Sequence, residues 1–146
     1  MESEIWMSFQ TSRGANATLF LCVIIASWVA ARFTSVMLDK GISIIGKILG
    51  SVFALSVFAI GWNLFTNIGN QWIIHANAMA ALGEDASPIA QGFVAEYGGE
   101  LMTMPNPTGV AFLISVFLIA FLPLWLNPKD YLKLKLLSLL LRAFII

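Results

Sequence analysis

Charge is what this sequence has least of. Of its 146 residues only 11% are charged, while 59% are hydrophobic. A soluble domain carries about a quarter charged residues, so the composition excludes an ordinary water-surrounded globule and points to an integral membrane protein. Cysteine occurs once, at Cys22, which excludes an intrachain disulfide and a CxxC motif. Histidine also occurs once, at His75. HExxH is therefore impossible, and no motif surrounds a serine or cysteine that His75 would activate. Phosphate-binding glycine loops are absent. "LGEDAS" holds Glu84 and Asp85 without the alternating oxygen ligands of a calcium loop. Formal net charge is zero, so no nucleic-acid partner is expected. Internal repeats and low-complexity segments are also missing.

What is present is three long apolar runs: "ATLFLCVIIASWVAARF", "ISIIGKILGSVFALSVFAIGWNLF" and "VAFLISVFLIAFLPLWL". About 20 apolar residues cross the hydrocarbon of a bilayer, where only a helix satisfies its own backbone. Three transmembrane helices are expected at residues 15–37, 42–66 and 108–126, in one membrane domain covering residues 1–146. Glu2 and Glu4 precede a single Arg13, unlike the basic start of a cleavable signal peptide; the first run reads as a retained signal anchor. Pro123 removes a backbone donor from the third run and invites a kink. Asn127-Pro128 then ends it. The span cores hold no charge, and Arg32 and Lys47 sit at their ends, where they snorkel.

Lysine and arginine are missing from residues 67–107, which carry Glu84, Asp85, Glu96 and Glu100. Arg32, Lys40, Lys47, Lys129, Lys133, Lys135 and Arg142 all fall on the other side of a three-span arrangement. The positive-inside rule makes that side cytoplasmic. The N-terminus and residues 67–107 are then outside, and residues 127–146 form a cytoplasmic tail. Trp62 and Trp125 lie near the interfaces, as an aromatic belt requires. The expected location is a bacterial inner membrane. Within the outer segment the helical pattern runs on to Gly83, with a bend expected at Gly69. Ser87 and Pro88 start a second short helix, "PIAQGFVAEY", ended by Gly98-Gly99. "MPNPTG" makes the turn into the third span. Two short outer helices are thus expected as a cap over the bundle or against a neighbour.

His75 is the residue that raises chemistry. Gln71, His75 and Met79 share a helix face at spacing four, and Met102 and Met104 lie on the same side of the membrane. Imidazole and thioether ligands suit copper, especially Cu(I), so His75, Met79, Met102 and Met104 form a candidate metal set. Against it, methionine is a common apolar gap-filler and a single imidazole is a poor site. His75 and Met79, one turn apart, do not take opposite axial positions on a haem iron. Copper or haem is expected only if a partner subunit shares the ligation; otherwise His75 makes polar contacts at the outer face.

Features that serve association are more numerous. "GKILG" places Gly46 and Gly50 four apart, Ala54 extends the small-residue face, and Gly61 falls near it. Such faces let helices approach closely in lipid, within the chain or between chains. Asn63, Thr66, Asn67 and Asn70 form a polar stripe at the outer end of the second span. In the tail, Tyr131, Lys135, Ser138 and Arg142 share a narrow basic face of an otherwise apolar amphipathic helix, suited to anionic headgroups or to a protein partner. The expected class is an all-α integral membrane protein, and the expected role a small non-catalytic accessory subunit. Its host would be a respiratory, photosynthetic or monooxygenase-type complex. Its partners are other membrane subunits and lipids. A subunit lending a copper or haem ligand is the first alternative, a homo-oligomeric channel or small transporter the second.

Overall fold

Three side chains mark where helices start. Ser43, Ser87 and Asn106 stand in extended backbone and accept the N–H of Gly46, Ala90 and Gly109 at 3.2, 3.2 and 2.8 Å. Each cap satisfies a donor that the first helical turn leaves open. Pro88 and Pro107 follow two of them, at positions where a missing N–H costs nothing. The structure, a computed structural model, describes residues 1–126. It consists of α1 (Glu2–Asp39), α2 (Ile44–Ala80), a 3-10 turn (Gly83–Asp85), α3 (Pro88–Tyr97) and α4 (Pro107–Trp125), with no strand among the described residues. Tyr131, Lys135 and Arg142, and the amphipathic helix expected around them, lie outside the described residues.

The helices α1, α2 and α4 are each long and apolar enough to cross a membrane. The first two go well beyond the expected spans. α1 begins at Glu2 rather than near residue 15, and α2 passes the expected span end at residue 66 and runs to Ala80, in keeping with the helical pattern expected as far as Gly83. Residues 67–80 are therefore not a separate short helix, and no helix boundary falls at Gly69. The physical reason is pairing. The first turns of α1 lie beside the last turns of α2, with Phe9 against Trp72 and His75, so the extension of each helix is packed by the other. Gly69 serves close approach instead: a Cβ there would stand 2.6 Å from Met102 Sδ.

The spans pack along residues spaced three and four apart. Val23, Ser27, Ala30 and Thr34 are buried on α1, and Gly50, Ala54, Val57 and Gly61 on α2. Gly109, Leu113, Ala120 and Leu124 complete the seam on α4. That spacing keeps one stripe of each helix facing its neighbours. Ala30, Ala54 and Ala120 meet where the three helices come together. A Cβ on Gly50 would lie 3.0 Å from Leu124, and Gly61 faces Leu113 and Val23. Gly46 faces Met37 and Ile42. The Thr34 hydroxyl donates to the Ala120 carbonyl at 2.8 Å, and Trp125 Nε1 donates to Ser51 Oγ at 2.9 Å. Lys47 sits over the Trp125 ring, 5.6 Å from its centroid.

These contacts fix the register. The start of α4 lies at Phe65, where Gly109 touches it, and its end lies at Ser51. From Phe65, α2 continues to Ala80, about 22 Å at 1.5 Å per residue. Together with the first part of α1 and with α3, this projecting part forms a three-helix stalk.

Candidate functional site

Aromatic rings build the stalk. Phe9, fully buried, packs against Trp6, Trp72, His75 and Phe93 with centroids 4.9 to 6.1 Å apart. Tyr97 packs at a tilt against Trp72 and Phe93, with centroids 4.7 and 5.1 Å away. The tilted and edge geometries are those that ring quadrupoles favour. The Arg13 guanidinium covers this group, 5.8 Å from Phe9 and 5.5 Å from Trp72, at cation–π distance. Nearer the tip, Met79, Ala86 and Ala90 make an apolar core with Ile5, Trp6 and Phe93 around it.

Glu2 locks the tip. One carboxylate oxygen accepts the Ser87 N–H at 2.9 Å; the other accepts the Ser87 hydroxyl at 2.7 Å and Trp6 Nε1 at 3.1 Å. The backbone N–H of Ser87, then its hydroxyl and Trp6, hold the Glu2 carboxyl below its ordinary value. These bonds favour the charged form. Two asparagines fasten the segment after α3 to α2. Asn70 donates to the Met102 carbonyl at 3.0 Å and accepts the Met102 N–H at 2.7 Å. Asn77 does the same to Gly99, at 2.9 and 3.1 Å.

His75 is 7% exposed. Nδ1 lies 2.7 Å from the Gln71 carbonyl, which only accepts, so Nδ1 carries the hydrogen and donates. Nε2 lies 3.2 Å from Ser8 Oγ and accepts from that hydroxyl in the neutral ring. The methionines have separate surroundings: Met79 is fully buried in the tip core, Met102 packs on Gly69, and Met104 is exposed. Gly69 lies six residues before His75, about a third of a turn around the helix from it, so Met102 approaches a different face of α2. Among the described residues no three His, Cys, Asp or Glu side chains form a metal-holding group. In the polar stripe, Asn63 donates to the Ala59 carbonyl and Thr66 to the Trp62 carbonyl of their own helix. Asn67 is exposed.

Two concave surfaces flank the stalk. A shallow groove of about 420 Å³ runs between α1 and α2, lined by Met1, Ile5, Ile74 and Ala78 with Glu4, Ser8 and His75. A larger cleft of about 690 Å³ opens where the stalk meets α4, lined by Phe20, Phe65, Trp72 and Phe112, with Glu96, Tyr97 and Thr108 among its polar groups. Hydrogen bonding to Glu96 raises the Tyr97 phenol above its ordinary value. Sequence reasoning missed this cleft, because its lining comes from all four helices. It also missed the anchoring roles of Glu2 and Asn77. One signal was available: Asn70 and Asn77 are seven apart, so they share a helix face. No known protein family, curated protein or solved structure matches the chain.

Proposed function

We propose that this chain is a small non-catalytic accessory subunit of a larger membrane complex of respiratory, photosynthetic or monooxygenase type. The observation that carries the reading is the apolar groove on the stalk. Met1 and Ile74 are 81% and 45% exposed there. His75 is just under three turns of α2 beyond Phe65, where α4 starts, about 15 Å along the axis. With 19 residues, about 28 Å, α4 is just long enough to cross the hydrocarbon, so its start marks the edge of the acyl chains and the groove stands beyond them. Apolar surface that water alone would cover marks a protein contact, and the fitting occupant is an apolar segment from the outer part of a neighbouring membrane subunit. The distribution of lysine and arginine supports an outer stalk and a cytoplasmic tail in a bacterial inner membrane; Arg32, Lys40 and Lys47 lie at the end away from the stalk.

The test is purification in mild detergent of the wild type and of Ile74→Lys. Because Ile74 is exposed, the substitution leaves the stalk core intact, which thermal unfolding checks. The wild type is expected to bring down defined membrane subunits and Ile74→Lys to lose them. A wild-type chain that purifies alone, or an Ile74→Lys chain that keeps every partner, overturns the proposal.

A further inference from the structure

The cleft at the base of the stalk has a distribution of polarity that the groove lacks. Phe20, Phe65 and Phe112 line its span side, with ring centroids 5.4 Å apart for Phe20–Phe65 and 5.9 Å for Phe65–Phe112. Trp72 and Tyr97 line its stalk side, the pair of side chains that settles where hydrocarbon meets water. Its volume, about 690 Å³, is that of a ligand pocket rather than a packing defect.

Two features of opposite polarity border the cavity. Glu96 is exposed and, among the described residues, pairs with no lysine or arginine. The first turn of α4 contributes Thr108 and Gly109. The Gly109 N–H is taken by Asn106, but the helix end still presents the positive pole of its dipole, and the Thr108 hydroxyl lies beside it. Glu100 follows Glu96 by four residues, whereas Glu2, Glu4, Glu84 and Asp85 stand at the far tip of the stalk, screened from the cleft. Arg13 rests on Phe9 and Trp72 and does not line the cleft. A lipid bearing only negative charge meets this field unfavourably; one bearing an ammonium beside its phosphate matches it.

We propose that the cleft holds one zwitterionic glycerophospholipid. Its ammonium pairs with Glu96, its phosphate lies over the first turn of α4 at Thr108, and one acyl chain runs along Phe20, Phe65 and Phe112. This site is separate from the groove, so it stands or falls without the partner reading above.

The test is native mass spectrometry of the full chain. The chain is delipidated in detergent, then exposed to equal phosphatidylethanolamine and phosphatidylglycerol. The wild type is expected to retain one phosphatidylethanolamine in about tenfold excess, the factor that one charge-assisted hydrogen bond contributes. Glu96→Gln is expected to bind both lipids equally. Thr108→Trp, a bulky substitution at an exposed position on the rim, is expected to retain neither. Circular dichroism confirms that both variants fold. Equal retention of the two lipids by the wild type, or an excess of phosphatidylglycerol, overturns the proposal. So does a preference that survives Glu96→Gln, or lipid retention undiminished by Thr108→Trp.

Discussion

Glu2 is the side chain whose contribution depends most directly on pH. Its carboxyl lies below the value of 4.5 that it has unperturbed, so the folded state favours the ionised form. The stabilisation is fully present above the unperturbed value and is lost as pH falls through the lowered folded one. Protection of the first turn of α3 against hydrogen exchange, relative to the intrinsic rate at each pH, is therefore expected to hold at neutral pH and to fall only below the usual carboxylate range. In Glu2→Gln that acid transition should vanish; an unchanged transition in the variant would assign it to another group. His75 poses a different question. Both ring nitrogens are engaged within the chain, so a metal would first have to displace Ser8 or Gln71. His75→Ala is expected to lower stalk stability by about 1–3 kcal/mol, the cost of disrupting a buried polar pair, with the metal content of the purified protein unchanged. A metal lost with the histidine would restore the copper or haem reading. The sequence marks His75 as unusual by its solitude. Its partner Ser8, 67 residues away, carries no local signal at all.

Among the elements, α3 was legible because its cap is local chemistry: Ser87-Pro88 announces itself within four residues, and the turn-rich "MPNPTG" marked the entry to α4. The early start of α1 was not legible, and for α2 the helical pattern was readable to Gly83 but not its uninterrupted course past Gly69. Apolar run length reports where lipid lies, whereas a helix continues wherever its neighbours pack it, and residues 67–80 mix Asn, Gln and His with apolar side chains. The small-residue face was readable as a close-approach surface, but spacing alone does not say which helix approaches. Leu124 covers Gly50 within the chain. Gly50→Leu is accordingly expected to destabilise the isolated chain by about 1–3 kcal/mol, as overpacking does. Thr34→Val, which removes the bond to Ala120, should cost about 0.6 kcal/mol, typical of a hydrogen bond between membrane helices. Thermal unfolding in detergent measures both. A Gly50→Leu chain as stable as the wild type would show that α4 does not seat there.

At the scale of the molecule, the three apolar helices were legible from composition, and their number survives in the structure. The cleft was not, since no single stretch contains it. The topology proposal has a direct check. Cysteines at Gln10 and Ser138, placed singly in a Cys22→Ser background, are offered a membrane-impermeant thiol reagent on intact cells. Gln10 is exposed and should label, while position 138 should not. Labelling at position 138 alone reverses the orientation and moves the stalk, groove and cleft to the cytoplasmic side.

The bond between Glu2 and Ser87 joins residues 85 positions apart, and it therefore has a timetable. At a synthesis rate of about 5–20 residues per second, the first turn of α1 waits roughly 4 to 17 seconds after translation before its anchor exists. Thr34 waits as long for Ala120. During that interval Trp6 and Phe9 have no α3 to pack against, and a chaperone or protease that reads exposed aromatic segments has its opportunity. Nascent chains stalled before Ser87 leaves the ribosome should be cut near their N-terminus by added protease. Chains stalled after α4 has emerged should resist it.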